Sequence, residues 1–247
     1  MKREVFLLAV ALLAAGVAGR LEADPWIELA PAEFALRPEL QERIVLANLD
    51  RELMARAIFH ETNRVRARMR LPALKPLADL DRAADFQASI GALMHVVSHD
   101  NPMPDLATLK LRVERAGLKI KTAAENLAAS TILEGGIGPR SVIVQRVAGR
   151  EVLLDPDTRQ EVKSRTYAGM AESLVQQWLN SPGHRANLVS EEMEYLGVSV
   201  RPRKTAGGMD SLYAVQVFFT PLAAPPLAPA RKTPRRTFSP TSENLPR

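Results

Sequence analysis

The sequence predicts an α+β domain, and three observations carry that expectation. Four stretches place apolar residues at helical spacing through the body of the chain. Two stretches near its end, 196–200 and 212–219, alternate as half-buried antiparallel strands do. Hydrophobic residues make up 46% and charged residues 25%, the balance of a soluble globular protein. Aromatic residues are only 5%, so Leu, Val, Ile and Ala must build the core.

The N-terminus sets Lys2 and Arg3 before an apolar run from Val5 to Ala15, with small residues at Gly16, Ala18 and Gly19. This is the layout of a cleaved export signal, assigned to residues 1–19. The run is shorter than the ~20 residues of a membrane span. Without cysteine there is no lipidated anchor, no disulfide, no thiol nucleophile and no thiolate metal ligand. The mature protein is thus expected to be secreted, periplasmic or extracellular.

Residues 20–37, with Pro25 and Pro31, read as a linker, and the domain as 38–220. Leu40, Ile44, Val45, Leu49, Leu53, Ala57 and Ile58 predict a long helix from Glu39, stopping before Pro72. A second helix is expected from near Asp79 to about Val97, ahead of Ser98-His99-Asp100-Asn101-Pro102. A shorter one, over 105–116, ends at Gly117. Val142–Val144 and Val152–Leu154 flank Ala148-Gly149 and predict a hairpin, inserted near 140–156 at the domain's edge. Helix returns over 168–180 and stops at Ser181-Pro182-Gly183. Gly207-Gly208 marks the turn between the last two strands.

The segment 221–247 holds seven of the chain's 18 prolines and no apolar period, so it is expected to be a disordered tail. Its cations, Arg231, Lys232, Arg235, Arg236 and Arg247, face Glu243 alone and could contact anionic surfaces. Together with Lys2 and Arg3 against Glu4, the tail accounts for the whole net charge of +5. The body is neutral, which removes the basic signature of a nucleic-acid binder.

Four histidines are available for chemistry: His60, His95, His99 and His184. His60-Glu61 begins like a zinc-protease helix, but Arg64 stands where the second histidine must be. His95 and His99 would share one face only if the helix continued through both. There is no Gly-x-Ser-x-Gly elbow for a serine nucleophile.

The order Asn63-Arg64, Ala83-Ala84, Ser98-His99, Glu125-Asn126, Trp178 and Ser181-Pro182-Gly183-His184-Arg185 then points to a family. With Gly197-Val198 and the strand at Tyr213, it resembles the CAP superfamily (cysteine-rich secretory, antigen 5 and pathogenesis-related 1 proteins; SCP-like domains) in its disulfide-free bacterial branch, from about residue 50 to 220. The resemblance implies a three-layer α/β/α sandwich with an antiparallel sheet between helices. It also implies a cavity lined by His99, Glu125 and His184, able to take a ligand or to hold Zn²⁺ or another divalent metal. Two departures stand out: Ser181 where many members have a second glutamate, and Gln87 where bacterial relatives often have a histidine.

Three readings of function follow. The first is an exported binding module for a small lipid or envelope polymer, as the family's links to lipid binding imply. The second is a metal-assisted hydrolase using the same three residues, with Glu125 as ligand or base. The third is a structural or interaction protein in which the cavity is vestigial, the insertion or tail makes the contacts, and Glu125 and His184 form a buried polar network. In that case Trp178, Asn63 and Arg64 are scaffold. Oligomeric state is not readable from residue types.

Overall fold

The computed structural model describes residues 29–135, 142–203 and 211–222. The expected leader, the Gly207-Gly208 turn and all but the first two residues of the tail lie outside them. The described chain forms helices α1 (Pro31–Ala35), α2 (Arg51–Arg68), α3 (Ala78–Met94), α4 (Leu109–Arg115), α5 (Tyr167–Leu179) and α6 (Pro182–Leu188). Its strands are β1 (Lys75–Pro76), β2 (Ile120–Thr131), β3 (Ile143–Val147), β4 (Arg150–Leu154), β5 (Tyr195–Arg203) and β6 (Ser211–Pro221). A four-stranded sheet runs β1-β5-β6-β2, with β1 parallel to β5 and the other pairs antiparallel. The fold is α+β, a three-layer sandwich with this sheet in the middle.

The last strand explains the layering. Leu212, Ala214 and Phe218 enter one core with α2 and α5, while Tyr213, Val215, Val217 and Phe219 enter a second with α3 and α4. Strand β6 is therefore buried on both faces, as is β5 from Leu196 to Val200. The half-buried strands expected from alternation are corrected here: Tyr213–Phe219 is a nearly continuous apolar run, as a strand covered on both faces requires. On β5, Leu196, Val198 and Val200 feed the first core, and Gly197 lets α3 approach. A Cβ at Gly197 would lie 2.3 Å from the Leu80 carbonyl carbon.

The helix expected from Glu39 is also corrected. Leu40, Ile44 and Leu46 are buried, but through 3₁₀ turns at Pro38–Gln41 and Leu46–Asn48. Between them Arg43 bridges Thr166, and the Ile44 amide donates to the Arg165 carbonyl at 2.9 Å. The α-helix begins only at Arg51, where the Asp50 carboxylate accepts from the Leu53 amide at 2.9 Å. Within the expected linker, Pro31–Ala35 is helical, and its Phe34 is buried against His60 with ring centroids 4.0 Å apart.

Helix α3 ends at Met94, and His95 takes a left-handed conformation, φ 57°. His95 and His99 consequently do not share a helical face. Gly117 caps α4 at φ 91°, and Ala148-Gly149 turn the hairpin at φ 50° and 82°, the left-handed pair that a two-residue turn needs. Pro182-Gly183 does more than stop α5. With Ser181 as N-cap, Pro182 opens α6, the helix that carries His184. Strand β2 is the longest element that the sequence reading left unassigned.

Candidate functional site

Strand β2 is an edge of the sheet, and its side chains alternate between the two layers. Ala123, Leu127 and Ala129 face the α3–α4 core, and Glu125, which shares their parity, projects to the same side. Asn126 projects toward the other layer, where α6 packs. Adjacent residues of one strand thus serve two halves of one site.

On the first side, Glu125 is buried and held by Arg112. The Arg112 Nη2 donates to Glu125 Oε1 at 2.9 Å and Oε2 at 2.8 Å, with both side chains almost inaccessible. Arg112 Nη1 donates to the carbonyls of His99 (3.2 Å) and Leu106 (3.1 Å). His99 Nδ1 lies 2.9 Å from Glu125 Oε1, yet the His99 side chain is 60% exposed. Gln87 anchors the same loop from α3. Its Nε2 donates to the Ser98 carbonyl and its Oε1 accepts from Asn101 Nδ2 at 3.2 Å. The departure at Gln87 therefore has a structural role.

On the second side, a chain of amides fixes His184. Gln216 Nε2 donates to Thr62 Oγ1 at 2.7 Å, and Asn126 Nδ2 donates to Gln216 Oε1 at 3.2 Å. Asn126 Nδ2 also reaches the His184 carbonyl at 3.1 Å, and Asn187 Nδ2 donates to Asn126 Oδ1 at 2.9 Å. This buried network ties α2, β6, β2 and α6 together, the satisfied arrangement in which buried polar groups are tolerated.

The two histidines titrate in opposite directions. The hydrogen bond to Glu125 raises the His99 pKa against the opposing effect of burial. Burial lowers the His184 pKa, and the charge on His99 lowers it further.

A sequence profile of the cysteine-rich secretory protein family, CAP, matches residues 59–218. The chain belongs to the CAP family. Solved structures similar to this CAP chain include an extracellular protein with an SCP domain from Bacillus anthracis (25% identity, TM-score 0.45, 68% of this chain and 41% of that one). An outer surface protein from Borrelia burgdorferi matches at 16% identity and TM-score 0.45, over 73% of this chain and 98% of that one. A cysteine-rich secretory protein from Staphylococcus aureus matches at 16% and 0.41, over 70% and 40%. The chain thus spans under half the length of the Bacillus protein. No curated protein is significantly similar to it. Among the described residues, no helix is long and apolar enough to cross a membrane.

Within the CAP site, Glu125 of the expected three-residue set is already paired. Both oxygens of Glu125 are engaged by a buried guanidinium, which already offsets the carboxylate charge. Among the described residues no group of three His, Asp or Glu side chains is arranged to hold a metal ion.

The remaining residues act as framework. Trp178 is fully buried and its Nε1 donates to the Leu127 carbonyl at 3.1 Å. Asn63 exchanges hydrogen bonds with Leu74, at 3.0 Å to the carbonyl and 2.8 Å from the amide, tying α2 to the following loop. Arg64 pairs with Glu61. Sequence reasoning missed Arg112, although a signal was present. Leu109, Arg112, Val113 and Ala116 share one helical face, so the arginine stands at a core position. Gln216, alone in the apolar run from Tyr213 to Phe219, was a second such signal.

Proposed function

We propose that this CAP chain acts outside the cytoplasm as a binding module, with its ligand docking at the sheet edge against His99 and His184. One observation carries the reading. An exposed imidazole stands on a buried base, His99 at 60% exposure against 2% for Glu125 and 0% for Arg112. Such a group is pre-ordered before any ligand arrives, which reduces the entropic cost of binding. The leader pattern of residues 1–19 supports export.

The ligand class is a small lipid or an envelope polymer. Leu93, Met94, Val96, Val97 and Met103 are exposed in the segment that leads into and out of His99, which favours a ligand with an apolar part. A metal-assisted hydrolase has less support, because the carboxylate it needs as ligand or base is committed to Arg112. Equilibrium binding of the mature chain to lipid vesicles and envelope glycans tests the proposal. Saturable binding that weakens at least about tenfold in the His99→Ala, His184→Ala double variant is expected, the loss of ~1.4 kcal/mol or more. Binding indifferent to both substitutions would place the ligand elsewhere.

A further inference from the structure

Arg112 touches both Glu125 and the loop that carries His99. It sits on α4 with its side chain fully buried, and its two terminal nitrogens point to different elements. One grips the carboxylate of Glu125 on β2, and the other holds the loop through the carbonyls of His99 and Leu106. The relative position of loop and strand, and so of His99 and Glu125, is defined through this guanidinium.

Donor and acceptor counting gives the chemical consequence. An ionised carboxylate only accepts, so the 2.9 Å contact with Glu125 Oε1 requires the proton of a neutral His99 to sit on Nδ1. The lone pair then lies on Nε2, the ring nitrogen not engaged with Glu125. The Arg112 guanidinium has donors only, so its fork on both oxygens uses Glu125 as an acceptor. Oε1 accepts from both Arg112 and His99, Oε2 accepts from Arg112, and the carboxylate is only 2% exposed, so its acceptor capacity is spent mostly inward.

We propose that Arg112 is a positioning residue that withdraws Glu125 from ligand coordination and commits it to fixing the His99 tautomer, so that the site presents an imidazole acceptor at Nε2 instead of a carboxylate. This rests on the reading of His99 and His184 as the ligand site, and it narrows the ligand. A hydroxyl or amide N–H donor suits the exposed Nε2. Hard cations such as Ca²⁺ and Mg²⁺, which take oxygen ligands and favour carboxylates over imidazole, are selected against.

The test uses the mature chain and no unidentified ligand. Long-range ¹H–¹⁵N correlation at a pH where the His99 ring is neutral reads its tautomer directly, and Ca²⁺ titration reads the availability of Glu125. The wild-type ring should be predominantly Nδ1–H, and a predominant Nε2–H form overturns the proposal. In Arg112→Met, verified as folded by circular dichroism, the tautomer should become mixed and Ca²⁺ affinity should rise by about tenfold or more, the scale at which changes in outer-shell partners alter metal sites. Should that variant not fold, Arg112→Lys keeps a cation but loses the fork and should shift both readouts in the same direction by less. A folded variant with an unchanged tautomer and unchanged Ca²⁺ affinity would make Arg112 merely structural. Failure of lipid or glycan binding would strike the proposed function and leave these readouts intact.

Discussion

At the scale of residues, the site is an arrangement of charge. The carboxylate of Glu125 favours protonated His99, so Glu125→Gln should lower the His99 pKa, measured by ring ¹³C or ¹H shifts against pH. An unchanged value would mean that the contact contributes nothing in solution. The two histidines also affect stability in opposite windows. With its pKa raised in the folded state, His99 contributes stability that is full below its unfolded value, ~6.5, and is lost as pH rises through the folded value. His184, with its pKa depressed, contributes stability that is present above ~6.5 and lost as pH falls through the folded value. His99, Glu125 and His184 were legible in the sequence because each sits in a short run of recognisable neighbours. Arg112 was not, since Leu-Lys-Leu-Arg-Val-Glu-Arg has the look of a solvated helix until the face of Arg112 is counted. The sequence reading thus singled out His99 and Glu125, which the fold brings into contact, but not the cation that engages Glu125.

At the scale of elements, legibility followed how local the determining forces are. Helices α3 and α5 were readable because the spacing of their apolar residues and their end signals agree. Leu40, Ile44 and Leu46 have the same kind of spacing, but their backbone groups pair with the start of α5, a partner far away in sequence. Strand β2 was missed because Ala123, Ala124, Ala128 and Ala129 carry little strand preference; its conformation comes from the ladder with β6. Contact between α3 and β5 depends on one missing methyl group. Gly197→Ala would drive a Cβ into the Leu80 backbone, which cannot move without the helix. A loss of about 1–3 kcal/mol or more is expected in urea unfolding. A change within ~0.5 kcal/mol would show that α3 can shift freely.

At the scale of the whole molecule, two cores share one sheet. Because β6 supplies side chains to both, neither layer can lose its packing alone. Unfolding should be a single transition, with near- and far-ultraviolet circular dichroism coinciding in urea. Separate midpoints would mean that the α3–α4 layer detaches by itself. The three-layer order was legible through the family resemblance, whereas the apolar run of β6 was read as alternation. That the edge strand would join two polar systems was not, because Glu125 and Asn126 are adjacent in sequence and serve opposite layers. The central claim is that the fold brings the His99 loop and helix α6 together into one site. The most direct test is the His184 titration in wild type and in His99→Ala. The account predicts a depressed His184 pKa that rises toward the ordinary value when His99 is removed; a value unchanged by that substitution would contradict it.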